Sequence, residues 1–507
     1  MKPVSRKAGT LRNMVFEYAM MALMIVRGIV LPPLAARYID HNLLGAWFAS
    51  GNIMQWLMVS EGGAWLFLRQ RAAVEFGRGD HTALAAVIGS SGIIIVSLGT
   101  VTVLLSLSIA PLVPGWLHVD ARLSGELVMA FSLTAMGMGL GFLASIPRAV
   151  GHGLQRQVAV NTSLLVAEST SLAASIVLLM NGYGLLSLGV GPLIRELLHN
   201  LLNWPILVRM LHGLHIRPVV SRAYIKSMTG QMSWTFVNNL SGVMRRNVDA
   251  LIVSQVFGNS AVLLVEWTKR AWEIFASVVT RASTSFTPAL AHLYGEADLP
   301  KFRTISAQLF AVIAVALGIA LAVGLALNQP FVGLWVGTQF YAGNQYNLVL
   351  GLAMVASAIG FTLLEVLFAT GNIRRPAIAQ LLQTVARLGV LFALVPMVGL
   401  LSIPLSMLIT ESLGILYLSL EWQRTLKVPG RDMLKQLLLM GRTLLVALVL
   451  ALAWMALPHP VSWPGLVLHG VLFGTALVLA FYLVEPFVRF RINGLLILFW
   501  QYGRAKW

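Results

Sequence analysis

The chain has 507 residues, 58% of them hydrophobic and only 11% charged, with a mean hydropathy of +0.80. That balance excludes a water-soluble globular protein and points to a polytopic membrane protein. The net charge of +17 raises nucleic acid as a partner, but the placement of the basic residues loop by loop assigns it to orientation in a membrane. The absence of cysteine excludes disulfides, thiolate chemistry and cysteine-based metal sites.

Along the chain, apolar stretches of about 20 residues follow one another with little between them. They lack the two-residue alternation of barrel strands, so an all-α protein is expected. The first segment, "MKPVSRKAGTLR", is basic and leads into a span too long for a cleavable signal peptide. Fourteen spans are expected, centred near residues 25, 56, 97, 134, 169, 197, 243, 274, 315, 358, 387, 411, 447 and 475. An even number puts both ends on one side. The basic loop residues fall there, from Lys2, Arg6, Lys7 and Arg12 through Arg69, Arg71, Arg78, Arg148 and Arg156 to Arg504 and Lys506, whereas the opposite loops carry only Arg37 and Arg122. Both termini are therefore expected in the cytoplasm of a bacterial inner membrane. No loop is long enough for a soluble domain, so any chemistry belongs within or between helices.

A repeat organises these spans. Sliding the chain by 218 residues pairs Arg27 with Arg245, Gly77 with Gly295, Asp80 with Asp298 and Arg156 with Arg374. A shift of 215 then aligns "GLLSLGVGPLIRE" (184–196) with "GLLSIPLSMLITE" (399–411), and so Glu196 with Glu411. Two parallel six-helix lobes around a central cavity follow, at 1–210 and 229–425, joined by a cytoplasmic linker at 211–228. Residues 426–507 add two further spans and a basic tail. Duplicated halves suit a transporter with a midplane site and alternating access.

Ionisable residues inside a bilayer are functional candidates because each costs several kcal/mol there. In chain order they are Glu17, Arg27, Glu168, Arg195, Glu196, His199, Arg245, Arg246, Asp249, Glu266, Lys269, Arg270, Glu273, Arg281, Glu365, Arg387 and Glu411. Glu266, Lys269, Arg270 and Glu273 neutralise one another at three- and four-residue spacing. Asp249 stands four residues from Arg245 and three from Arg246 and neutralises only one of them. Arg27, Arg195, Arg281 and Arg387 have no acid at that spacing in their own helices, which leaves a surplus of arginines. Glu196 and Glu411 also fit plain interhelical hydrogen bonding, and His199 is read as a satisfied polar group. The guanidinium fork suits phosphate, so the surplus favours an anionic substrate. There is no phosphate loop, no His-Glu-x-x-His metal pair and no serine elbow, and the outer loops lack the charged residues of a sugar polymerase or ligase. No cofactor and no enzyme activity are expected.

"LPPLAARYIDHNLLGAW", "FGRGD", "VDALIVSQVFGNS", "WTKRAWEIF", "FTPALAHLYGEAD" and "FATGNIRRPAIAQ" resemble bacterial polysaccharide-type flippases of the multidrug/oligosaccharidyl-lipid/polysaccharide (MOP) exporter superfamily, over roughly residues 14–425. The resemblance implies export of an undecaprenyl-pyrophosphate-linked oligosaccharide to the periplasmic leaflet for O-antigen or exopolysaccharide assembly. It implies as partners that lipid-linked substrate, membrane lipids, and a polysaccharide polymerase with its chain-length machinery. By helix, it carries substrate binding to Arg27, Arg245, Arg246 and Arg270. Lys269, Arg195, Arg281 and Arg387 complete the candidate set, and Asp249, Glu273 and Glu168 are the candidates for coupling to H⁺ or Na⁺ beside the membrane potential. A peptidoglycan-precursor flippase and a drug/cation antiporter of the same superfamily remain alternatives; the second should carry unpaired carboxylates rather than arginines. Loss of export with intact insertion is expected for Arg27→Ala and Arg246→Ala.

Overall fold

The computed structural model describes residues 6–372, 374–426, 430–485 and 488–489. In the first part of the chain lie α1 (Arg6–Tyr38), α2 (His41–Met58), α3 (Ala64–Arg78), α4 (His81–Ile109), the single turn α5 (Val113–Trp116), α6 (Ala121–Gly153), α7 (Gln157–Met180), α8 (Leu186–Gly213) and α9 (Arg222–Arg246). There follow α10 (Asp249–Phe257), α11 (Asn259–Gly295), α12 (Leu299–Trp335), α13 (Asn344–Ala369), α14 (Arg374–Val398), α15 (Ser402–Leu426), α16 (Gly430–Met455) and α17 (Trp463–Val484). The described residues form no strand. All fourteen expected span centres fall in separate long helices, and the all-α membrane fold is borne out. Nine segments among the described residues are long and apolar enough to cross a membrane, one of them, Ile378–Leu426, containing both α14 and α15. The long helices outside those segments are α2, α8, α9 and α11, which carry most of the polar and charged residues singled out above.

Two spans are broken where the sequence reading expects continuous helix. Between α2 and α3 a 3₁₀ turn, Val59–Glu61, runs into Gly62 (φ 57°) and Gly63 (φ 82°), a left-handed pair that side chains resist. Between α9 and α10 the helix stops at Asn247, whose side-chain amide donates to the Val243 carbonyl at 3.3 Å. An asparagine that bonds its own backbone competes with the helical ladder. Arg245 and Arg246 therefore end α9 and Asp249 starts α10, so their three- and four-residue spacing does not run along one helix.

Contacts divide the chain into two units, residues 1–263 and 264–507. This division falls beyond the 211–228 linker because α10 packs on α2. The Asn259 amide also donates to Asn42 Oδ1 (3.1 Å) and to the Leu117 carbonyl (2.7 Å).

In the first unit α8 packs most extensively on α6 and α7. The α6–α8 contact is close because it is made by glycines: a Cβ on Gly189 would stand 2.7 Å from the Ala130 carbonyl oxygen, and one on Gly137 would stand 3.0 Å from the Leu193 nitrogen. Without a hydrophobic drive between helices in lipid, such approach of backbones holds a bundle together. Gly189→Val is expected to lower stability by about 1–3 kcal/mol through overpacking against backbone that cannot yield. Thermal unfolding of the detergent-solubilised protein checks this, with the lipid-facing Leu201→Val as the neutral control.

In the second unit α12 packs on α16, and α13 on α15. The Trp272 indole donates to Asn347 Oδ1 at 2.9 Å, and Asn328 Nδ2 donates to the same oxygen at 2.8 Å. Two buried donors thus share one amide. The added helices α16 and α17 end on a buried acid: Glu485 accepts from Arg442 (3.2 and 2.9 Å) and from the Thr443 hydroxyl (2.8 Å).

The repeat has a structural counterpart in each unit. Asp80 caps α4 by accepting from Ala83 N (2.8 Å), and Asp298 caps α12 by accepting from Lys301 N (3.1 Å). The residues before them, Gly79 (φ 74°) and Ala297 (φ 58°), both adopt the left-handed conformation. Gly141 makes room for Glu196 and Gly360 for Glu411, each leaving 3.4 Å to a carboxylate atom from the position a Cβ would take. "FGRGD" and "LYGEAD" therefore perform one local task, ending a helix and capping the next.

Candidate functional site

Three helices of the first unit converge on one buried acid. Glu168, on α7 and 3% exposed, accepts from Arg27 Nη1 of α1 at 2.6 Å and lies 3.5 Å from Arg195 Nη1 of α8. Arg195 also contacts the carboxylate of its neighbour Glu196 at 2.7 Å, and the Nδ1 of His199 stands 3.6 Å from the other Glu196 oxygen. The surplus expected at Arg27 and Arg195 is corrected here. Their own helices offer no acid at three or four residues, but α7 supplies one across the bundle. A shared carboxylate between two cations keeps a buried charge compensated.

Beside this cluster lies a cavity of about 430 Å³, whose polar lining includes Gln55, Glu61, Arg148, Arg195, Glu196 and His199. Its walls come from α2, the 3₁₀ turn, α6 and α8. The Gly62–Gly63 break is what brings Glu61 to the lining, since it ends α2 and turns the chain before α3 starts. Arg148 lies on α6, with its guanidinium 5.1 Å from the Trp65 ring, over which Arg69 also sits at 4.7 Å. Among the described residues no carboxylate is at ion-pair distance from Arg148, and its Nε is buried without a hydrogen-bond partner. The sequence reading counts Arg148 as an inner-loop charge, and this too is corrected. Its position in "LASIPRAVG", an arginine flanked by small and apolar residues, is the signal that distinguishes it from a loop arginine. Glu61 is likewise a site residue the sequence reading missed, and the Gly-Gly pair after it is the signal for the break.

His199 is 1% exposed, and its Nε2 has no partner among the described residues. The reading of it as satisfied does not hold for Nε2 among the described residues.

The remaining candidates are not brought to this cavity. Lys269 contacts Glu266 (2.9 Å) and Glu273 (3.3 Å), and Arg270 contacts Glu273 (3.2 Å), the mutual neutralisation their spacing predicts. They belong to the second unit, as do Arg281, exposed on α11, and Arg387, buried on α14. Asp249 is the buried first residue of α10. The side chains of Arg245, Arg246 and Glu17 lie outside the described residues. Glu411, the repeat partner of Glu196, accepts from the Ser357 hydroxyl at 3.1 Å. In sequence Arg195 precedes Glu196, whereas Thr410 precedes Glu411.

Residues 93–344 match the family described as "Polysaccharide biosynthesis protein". Among solved structures, an inward-facing multidrug resistance MATE family transporter of the MOP superfamily aligns with a TM-score of 0.67 at 14% identity, over 79% of this chain and 94% of that one. This chain has the fold of MOP superfamily transporters. The lipid II flippase MurJ, in its inward closed conformation, aligns with the same TM-score of 0.67 at 16% identity, over 92% of this chain and 99% of that one. A MOP superfamily transporter from Pyrococcus furiosus aligns at 0.51 and 15% identity, over 80% and 96%. No curated protein matches the sequence significantly. At these identities the likeness is one of fold. The MOP-type fold expected from the sequence is borne out, and the polysaccharide branch is supported by the family match over residues 93–344.

Proposed function

We propose that this MOP-superfamily protein is a flippase carrying an undecaprenyl-pyrophosphate-linked oligosaccharide from the cytoplasmic to the periplasmic leaflet of the inner membrane, by alternating access. The observation that carries the reading is Arg148: a half-buried guanidinium, outside any ion pair among the described residues, lining a polar cavity in a membrane bundle. A cation left without its own counter-ion invites an anionic ligand, and the guanidinium donates charge-assisted hydrogen bonds to phosphate oxygens. The match to the polysaccharide biosynthesis family supports a lipid-linked glycan as the source of that phosphate.

The distribution of basic residues among the loops supports a cytoplasmic location for both termini. Export of a pyrophosphate from a negative-inside cell then gains about 2.3 kcal/mol per charge per 100 mV, a drive that needs no nucleotide. Depletion of the protein, followed by mass spectrometry of extracted lipids and leaflet-specific enzymatic accessibility, tests the proposal. The expected result is a polyprenyl-pyrophosphate oligosaccharide trapped on the cytoplasmic side. A trapped peptidoglycan precursor would reassign the cargo. Unchanged lipid-linked sugars with new sensitivity to organic cations would reject the flippase reading for a drug antiporter.

A further inference from the structure

We propose that Trp65 is a positioning residue for anion binding: its indole holds the guanidinium of Arg148 at the cavity of the first unit without neutralising it, so that charge and donors remain for a pyrophosphate. The identity of that anion rests on the flippase reading.

The seat is built locally. The left-handed pair Gly62–Gly63 separates α2 from α3, and α3 starts at Ala64, which makes Trp65 its second residue. Arg69 follows four residues later on the same helix, a spacing at which side chains meet, and its guanidinium stands over the indole at 4.7 Å. That contact orients the ring against its own helix. Arg148 comes from α6, and its guanidinium stands over the same ring at 5.1 Å. The two helices approach closely just beyond, where a Cβ on Gly153 would stand 3.1 Å from the Arg69 carbonyl oxygen and 2.8 Å from the Ala72 Cβ.

The kind of partner decides what the cation can still do. Arg27 and Arg195 are held by carboxylates, which cancel charge and occupy donors. An indole attracts a cation through its quadrupole, and so orients the guanidinium while leaving its charge and its in-plane N–H groups uncommitted. The Nε of Arg148 is buried, so the terminal nitrogens are what this side chain offers to the cavity it lines, and no described residue bonds to them. The ring takes the face of the guanidinium and the anion takes its edge, which lets both contacts persist in the complex. A side chain already held in place also loses less freedom on binding, and this lowers the cost of association.

Packing alone does not call for an indole here. The Trp65 Nε1 is buried without a hydrogen-bond partner among the described residues, a cost that phenylalanine would avoid. What tryptophan adds in return is the strongest cation-binding face of the aromatic side chains.

The test uses the full-length protein in nanodiscs, with farnesyl pyrophosphate as the probe and calorimetric titration as the readout. Trp65→Leu is expected to weaken binding about 3- to 30-fold, the range that a cation–π contact supplies, and Trp65→Phe, which keeps a ring, to weaken it less. Both substitutions vacate similar space, so equal losses would show that Trp65 only fills volume and would overturn the proposal. In an Arg148→Gln background Trp65→Leu should cost nothing more; an undiminished further loss overturns the proposal, because Trp65 would then not act through Arg148. Site-specific replacement of Trp65 by tryptophans carrying successive fluorines keeps the shape of the side chain and weakens the quadrupole, so affinity should fall stepwise. Constant or rising affinity along that series overturns the proposal even where Trp65→Leu does not fold. Failure of the wild type to bind the probe sinks the pyrophosphate flippase reading and this inference with it. Binding by the wild type that is indifferent to fluorination sinks the inference alone.

Discussion

Glu168→Gln is expected to destabilise the first unit by about 3 kcal/mol and to deplete the protein from the membrane. The carboxylate is 4% exposed and is the meeting point of Arg27 and Arg195. Removing one member of a buried ion cluster leaves charge without compensation, at a cost of about 3–5 kcal/mol. The lower end applies because the two arginine side chains are 25% and 35% exposed, so water screens part of the loss. Arg195 keeps Glu196, whereas among the described residues Arg27 pairs with Glu168 alone. The double variant Glu168→Gln with Arg27→Gln should therefore recover part of the lost stability. Melting temperatures of the purified proteins in detergent decide the matter. A single variant as stable as wild type would show that the cluster is solvated in the membrane and holds nothing together.

Arg148→Gln is expected to have the opposite profile, with stability nearly unchanged and transport lost. Among the described residues no carboxylate is at ion-pair distance from Arg148, and Glu196 retains Arg195 at 2.7 Å, so the substitution breaks no ion pair. What disappears is the cation that faces the ligand. A hydrogen bond to a charged group contributes about 1.5–3 kcal/mol, so anion affinity should fall on the order of 10- to 100-fold. Arg148→Lys keeps the charge but loses the planar fork and the stacking on Trp65, and should recover only part of the activity. Complementation of a depleted strain, scored by polymer output beside membrane abundance, measures both effects. Full output from Arg148→Gln at normal abundance would remove Arg148 from the substrate path.

These contrasting expectations for two buried charges were not available from helical spacing. At three and four residues the spacing pairs Lys269, Arg270, Glu266 and Glu273 within one helix, and the structure contains those contacts between Lys269 and both acids and between Arg270 and Glu273. The same rule leaves Arg27 and Arg195 unmatched, because their acid sits on α7, 141 residues from Arg27 in sequence. It also pairs Asp249 with Arg245 and Arg246 across a stretch where Asn247 ends the helix. The sequence reading counts Arg148 among the basic loop residues, whereas the residue stands near the end of the 33-residue helix α6.

Local and one-dimensional properties were within the reach of the sequence: fourteen helices, from apolar length; the repeat, from a nearly constant offset; and the caps at Asp80 and Asp298, from the residue types that end one helix and start the next. Each depends on forces that act over a few residues or on the solvent that surrounds the whole chain. The tertiary structure alone decided which charges neutralise each other, which glycines admit a neighbouring backbone, and where, among the described residues, an arginine Nε and an imidazole nitrogen lie buried without hydrogen-bond partners beside one cavity. Those outcomes depend on which helices approach and at what height. In a low-dielectric bundle a displacement of a few ångströms turns a compensated ion into an available one.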